Sequence, residues 1–407
     1  MTLPDHTARA EGRAPLALVT FLALMTSVVA MTIDAVLPAL DAMAADLAFA
    51  HQNDRQLVLL LVFAGLGLAQ LVFGPLADAL GRKRATLIGW AIYLAGTLMG
   101  LAAANPEMLL AGRFLQGVGA GGPRVVAVAI VRDLYSGRPM ARVLSMVMTV
   151  FMLVPMLAPL MGQGIEAVAG WRAIFGLYLA LALVSGGWYL VAVPETLDPA
   201  RRRPFRPRVL AAAFAEVATT RQTVVAILAI IAVFGTFVAY LATAQQVMEE
   251  LYGLGPWFPL AFSALAVVFA AGSVLNGWLV MHLGMQPLAR RALWALTGIA
   301  TAGAGLAAAS GGVPSLGVFM AVLGLIFLCV AILFANLNAL AIQPLGHIAG
   351  TASSVILACS TVGAAAIGAA IAQAYDGSVT PLFAGFAALG LIGACLVTFG
   401  GRMEEGA

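Results

Sequence analysis

From about residue 15 to residue 400 the chain is a succession of apolar runs, each long enough to cross a lipid bilayer and each followed by a short polar turn. A helix needs about 20 predominantly apolar residues to span the hydrocarbon layer. In lipid the backbone must satisfy its own hydrogen bonds, so uninterrupted runs of this length can only be helices. Barrel strands, with about ten residues of alternating polarity, do not fit. The spacing predicts about twelve helices, at 15–39, 55–80, 85–104, 108–132, 141–167, 172–193, 222–248, 258–282, 288–309, 315–342, 350–376 and 380–400. Composition agrees: 62% of residues are hydrophobic and 10% charged, whereas soluble domains carry about 25% charged residues. The expected class is therefore an all-α integral membrane protein.

Cation placement sets the orientation. With a cytoplasmic N-terminus, the cytoplasmic cations are Arg9, Arg13, Arg82, Lys83, Arg84, Arg132, Arg138, Arg142, Arg201, Arg202, Arg203, Arg206, Arg208, Arg221, Arg290, Arg291 and Arg402, which is 17 of the 21 Lys and Arg. Arg55 and Arg172 fall outside, and Arg113 and Arg124 fall within the membrane. Both termini are expected to be cytoplasmic. Arg9 and Arg13 precede the first apolar run, but that run is too long for a signal-peptide core and no A-x-A site closes it. Cys329, Cys359 and Cys395 lie in apolar segments without paired spacing, and none of the five asparagines begins a glycosylation sequon.

The longest polar stretch, PETLDPARRRPFRPR at 194–208, divides the spans six and six. The expected organisation is a bundle over 1–193, a cytoplasmic connector over 194–221 and a second bundle over 222–407. GPLADALG at 74–81 aligns with GWLVMHLG at 277–284, each copy ending the second span of its half. A chance match in so Leu- and Gly-rich a chain is the alternative; the shared topological position favours a repeat. Two parallel six-helix halves are a transporter architecture.

GPLADALGRKRATL at 74–87 places Asp78 at a helix end, followed by Arg82, Lys83 and Arg84. A positive-inside anchor accounts for the three cations but not for Asp78. The stretch resembles the cytoplasmic loop 2–3 signature of the major facilitator superfamily, whose acid and bases form a charge lock on the cytoplasmic side. Arg132 and Asp133, in AIVRDLYSG, are the nearest candidates to complete it. In the second copy Met281 and Met285 replace the two charges, so a second lock is not expected.

RFLQGVGAGGPR at 113–124 brings Arg113 into the fourth span and thins that helix at Gly117, Gly119, Gly121 and Gly122 for close packing. Asp34 is the one charge in VVAMTIDAVLPAL at 28–40 and lies at matched depth in the first span. An ionised group in hydrocarbon costs about 2.5–3.5 kcal/mol, so an Asp34–Arg113 ion pair is expected. Snorkelling of Arg113 to the outer headgroups is the alternative. RFLQG is similar to the fourth-span signature of proton-coupled drug antiporters, which implies a role for Arg113 in proton coupling. Arg124, eleven residues later, returns to the same helix face about three turns deeper.

VFMLVPMLAPLMGQG resembles the Gly-Pro antiporter motif, with Ala158 where a Gly is usual. GWRAIF at 170–175, PETL at 194–197, GSVLNGWLV at 272–280 and NALAIQPLGHIAGTASS at 338–354 are similar to the bicyclomycin and chloramphenicol resistance (Bcr/CflA) branch. The resemblance implies a proton-coupled multidrug efflux antiporter of the bacterial inner membrane, monomeric, driven by the proton gradient with no bound cofactor, taking small drug-like molecules and no nucleic acid. Cavity candidates are Ser27 and Met31 on the face of Asp34, then Thr236, Phe237, Tyr240, Thr243, Asn276 and Asn338, with helix packing as the alternative for each, and Arg124, whose alternative is a pairing with a backbone carbonyl or side chain that steadies the helix. A carrier for a specific anionic metabolite, using Arg113 and Arg124, is the competing reading. No nucleophile elbow, Walker loop or zinc-ligand spacing points to an enzyme.

Overall fold

In the computed structural model, residues 16–202 and 207–400 are described. Arg9, Arg13, Arg203, Arg206 and Arg402 lie outside them. Helices account for nearly all of the described chain: α1 Leu16–Asp34, α2 Leu40–Asp46, α3 Leu57–Leu80, α4 Arg82–Leu101, α5 Pro106–Leu134, α6 Gly137–Ala169, α7 Arg172–Ala192, α8 Pro207–Thr219, α9 Arg221–Glu250, α10 Phe258–Leu283, α11 Met285–Ala309, α12 Leu316–Ile342, α13 Ala349–Gln373 and α14 Thr380–Phe399. Among the described residues, ten helical segments are long and apolar enough to cross a membrane, one of them running from Leu316 through α12 and α13 to Gln373. The chain is thus an all-α, multi-spanning membrane protein. Short 3₁₀ turns mark the breaks, and the one at Gln343–Ile348 contains Pro344 and a non-helical Leu345.

One departure from the sequence reading is α8, a helix inside the expected connector. Among its described side chains Ala213 and Val217, four residues apart, are buried, while Val209 and Phe214 stay exposed.

The chain divides into two compact units, one of residues 1–49 and 61–207, the other of residues 50–60 and 208–407. In the first unit α4 and α5 make the closest helix pair, α1 packs on α6, and α4 packs on α7. Glycines set these approaches. A Cβ on Gly119 would lie 2.2 Å from the Tyr93 nitrogen on α4, and one on Gly117 would lie 2.2 Å from the Val62 oxygen on α3. The glycine-rich run of α5 therefore presents one side to α4 and the other to α3.

In the second unit α9 packs on α13, α12 and α14, α11 on α14, and α10 on α12. Residues 50–60 join this unit through a polar clasp. Arg55 pairs with Glu250. Gln246 receives a hydrogen bond from Gln56 at 2.9 Å and donates one to Asn53 at 3.0 Å. Asn53 in turn donates to the backbone oxygens of Gln373 and Tyr375. Tyr375 donates to the other oxygen of Glu250 at 3.1 Å. Its phenol is pushed up from the usual tyrosine range by burial and then by the Glu250 carboxylate.

Candidate functional site

Asp34 is the last residue of α1 and is 5% exposed. The helix stops there because Pro38 lacks an N–H, and its ring would strike the carbonyl four residues back if the helix continued. Ending a helix frees its last carbonyls. One of them, Thr32 O, accepts a hydrogen bond from Arg113 Nη2 on α5 at 2.7 Å. The other arm of the guanidinium donates from Nη1 to Gln116 Oε1 at 2.8 Å. Gln116 Nε2 donates to Thr97 Oγ1 at 2.9 Å, and Thr97 bonds back to the Tyr93 carbonyl at 2.8 Å. The Tyr93 hydroxyl meets Thr32 Oγ1 at 2.5 Å, which closes the circuit. Thr32, Tyr93, Thr97, Arg113 and Gln116 are all 0% exposed. Phe175 lies under the guanidinium, 5.9 Å from its carbon.

This corrects the expected ion pair. Among the described residues no ion pair joins Asp34 to any base. Arg113 does reach the level of Asp34, but on α1 it bonds a backbone oxygen two residues earlier. Thr32 and Asp34 project about 200° apart around α1, and the C-terminal end of a helix carries partial negative charge that favours a cation. A helix end takes the place of the carboxylate. The snorkelling alternative is overturned as well, since Arg113 is fully buried among protein groups.

Exposure along α1 follows a helical stripe through Leu16, Ala17, Thr20, Leu24 and Ser27, then stops, with Val28 to Leu37 all buried. Ser27 is thus half-buried at the end of the stripe, and Met31 is buried just beyond it. Gly162 on α6 abuts this sealed part, where a Cβ would lie 1.9 Å from the Ala35 oxygen. Arg124 is half-buried on α5, and no hydrogen bond or ion pair to it is found among the described residues.

In the second unit α9 repeats the pattern. Its stripe runs through Arg221, Val224, Leu228, Ile231, Phe234 and Phe237, and Val238 to Met248 are buried. Phe237 belongs to an aromatic cluster with Phe234, Phe269 and Phe327 at ring-centroid distances of 5.6–6.2 Å. Tyr240 stands edge-on to Phe327 at 4.8 Å. Thr236 and Thr243 are buried and bond back to carbonyls of their own helix, so they are packing groups here. Asn276 accepts from Asn336 Nδ2 at 2.6 Å. Asn338 is half-buried and bonds the Phe334 carbonyl at 2.7 Å.

At the other end of α4 the charge network takes shape around Arg82. Its Nε and Nη2 grip Asp133 at 2.8 and 3.2 Å, and Nη1 binds Asp78 at 2.5 Å. Lys83 Nζ donates to the Val193 carbonyl at 3.1 Å. Arg84 and Arg132 are exposed and, among the described residues, join no ion pair; their long side chains reach water at lower cost. Sequence reasoning missed Glu195 of the PETL stretch. Its carboxylate accepts from the backbone N–H groups of Arg82 at 2.9 Å and Lys83 at 3.1 Å, capping the N-terminus of α4, where negative charge is favoured. Gly81, at φ 96°, permits this turn, since a Cβ there would meet Glu195 at 2.4 Å. Gln116, Thr32 and Asn336 were missed too. Only Gln116 had a usable signal, its place three residues after Arg113.

The chain resembles known proteins along most of its length. It is 34% identical to the multidrug resistance protein MdtL of Salmonella heidelberg (strain SL476) over 172 residues, 42% of this chain and 43% of that protein. The match therefore spans less than half of that relative. It is 26% identical to the uncharacterized MFS-type transporter YdgK of Bacillus subtilis (strain 168) over 65% of this chain and 67% of that protein. Two solved structures share its fold: the human organic anion transporter MFSD10, with a TM-score of 0.62 at 18% identity covering 94% and 98% of the two chains, and a D-xylose-proton symporter, with 0.69 at 15% covering 95% and 97%. The family model for the Major Facilitator Superfamily matches residues 22–369, and the chain belongs to that superfamily.

Proposed function

We propose that this chain is a proton-coupled multidrug efflux antiporter of the Bcr/CflA branch, working by alternating access as a monomer in the bacterial cytoplasmic membrane. Its twelve spans form two six-helix bundles, over 1–193 and 222–407, joined by the connector 194–221, with both termini cytoplasmic and no cofactor. The observation that carries the reading is Asp34, an acid 5% exposed in a membrane helix with no base paired to it among the described residues. Ionising such a group in hydrocarbon costs about 2.5–3.5 kcal/mol, so it holds a proton until a change of environment or ligand favours release. Drug and proton then exclude one another, and the drug drives the cycle only through its different affinity for the two states. Arg113 fixes the helix end that bears Asp34. Asp78, Arg82, Lys83 and Asp133 steady the cytoplasmic side, and the aromatic rings around the half-buried Phe237 suit varied apolar drugs. The name of the MdtL relative agrees with this reading.

The test is proton release on adding drug to the detergent-solubilised protein, followed by drug flux in liposomes under an imposed pH gradient. Asp34→Asn should abolish the proton release. Persistence of that signal in the variant would refute the assignment.

Arg124 supports a second reading, a carrier of an anionic metabolite. It is a half-buried cation with no protein acceptor among the described residues, whereas Arg113 already holds two neutral acceptors. Competition by organic anions and none by neutral or cationic drugs, lost in Arg124→Gln, would favour that reading.

A further inference from the structure

Away from Asp34, four buried polar groups lie on α4 and α7, two on each of these packed helices. Thr86 and Trp90 are one helical turn apart on α4, and Ser185 and Tyr189 one turn apart on α7. Thr86, Ser185 and Tyr189 are 0% exposed and Trp90 is 2% exposed. Gly186 brings the α7 backbone against the Trp90 ring, its ideal Cβ 3.4 Å from Cδ1. Thr86 Oγ1, Trp90 Nε1, Ser185 Oγ and Tyr189 OH each lack a hydrogen-bond partner among the described residues. Thr86 lies close to the Tyr189 hydroxyl, yet the two make no hydrogen bond of normal geometry.

One buried polar group left unsatisfied costs about 1–3 kcal/mol, and native proteins leave few of them. Four together are hard to sustain unless something else bonds them. We propose that Thr86, Trp90, Ser185 and Tyr189 form a binding site for internal water. The chemistry selects the ligand. The indole N–H only donates, so a metal cation has no use for it. The charges within electrostatic reach of Tyr189 are Glu195, Asp133 and Arg82, two carboxylates against one guanidinium already held by Asp133 and Asp78, which disfavours an anion. Water accepts from Trp90 and exchanges bonds with three hydroxyls, and internal waters typically make about three such bonds.

The position gives the site a wider meaning. Arg82, Thr86, Trp90, Tyr93 and Thr97 recur every three or four residues and are all buried, forming one polar stripe along α4. One end of the stripe is the Arg82 charge network and the other is the Tyr93–Thr32 contact beneath the end of α1. Bound water continues the stripe where side-chain hydrogen bonds do not.

X-ray radiolytic footprinting of the full chain in detergent tests this, because hydroxyl radicals formed from bound water oxidise the side chains around it. Trp90 and Tyr189 should be oxidised at least tenfold faster than Phe383 and Phe386, which are equally buried. In Thr86→Val/Ser185→Ala the Trp90 rate should fall severalfold; if that variant does not fold, Ser185→Ala alone is compared. Oxidation of Trp90 and Tyr189 no faster than the two phenylalanines, or unchanged in the variant, overturns the proposal. So does an anomalous bromide peak at these four residues in crystals grown with bromide.

Discussion

Gly162 and Gly164 sit two residues apart on α6 and should respond to the same substitution in opposite ways. At Gly162 an added Cβ would lie 1.9 Å from the Ala35 oxygen and 2.8 Å from its carbon, whereas ordinary contact begins near 3.4 Å. Relief requires roughly 1.5 Å of movement, and the obstacle is backbone, which cannot swing aside as a side chain would. At Gly164 nothing lies within 4 Å. Both substitutions gain the helix propensity of Ala over Gly, about 1 kcal/mol, so the difference between the two variants isolates the steric cost. Overpacking of this kind costs about 1–3 kcal/mol. In a unit of this size each kcal/mol shifts the melting temperature by about 2–4 °C, so Gly162→Ala should melt about 2–12 °C below Gly164→Ala. The assay is the fraction of monodisperse protein left after heating in detergent. Ala35 follows Asp34 directly, so drug-dependent proton release should also change in Gly162→Ala and not in Gly164→Ala. Equal melting of the two variants would refute the packing of α6 on the end of α1.

Two further outcomes are expected. Asp133→Asn should lower thermal stability far more than Asp78→Asn, because the Asp133 side chain is 13% exposed and that of Asp78 49%. Breaking a buried pair costs about 3–5 kcal/mol, an exposed one about 0–1 kcal/mol, and similar melting points for the two variants would contradict the burial. Stability should also fall at alkaline pH. Burial pushes the Tyr252 phenol up from 10.0 to about 12, and Tyr375 is pushed up as well. The fold keeps both protonated where the unfolded chain has lost the proton, so their contribution is full below pH 10 and declines as pH rises toward 12. Melting scans between pH 8 and 11.5 should show this decline, reduced in Tyr252→Phe. An unchanged slope in that variant would assign the effect elsewhere.

Much of the fold was legible because lipid leaves a chain few choices. Apolar length gave the helices, and glycine spacing gave the close face of α5. The contact of Arg82 with Asp78 was legible only through the resemblance of that stretch to the superfamily's loop 2–3 signature, since the helices break at Gly81 between the two residues. The partner of Arg113 was not, because every residue carries a carbonyl and nothing in the sequence marks which one a helix end leaves free. The cap that Glu195 places on α4 was hidden for a related reason, as its acceptors are backbone N–H groups more than a hundred residues away. Asn336 and the clasp of residues 52–56 depend on which helices become neighbours, which periodicity within one helix does not reveal.

By itself, then, the sequence determined that this protein lives in a membrane, where its helices run and that Asp34 and Arg113 come to one level, because hydrocarbon admits only self-satisfied backbone and rarely a charge. The tertiary structure alone decided what those two residues meet. Rotation of α1 about its axis and the early end enforced by Pro38 turned the acid away and offered the arginine a carbonyl instead.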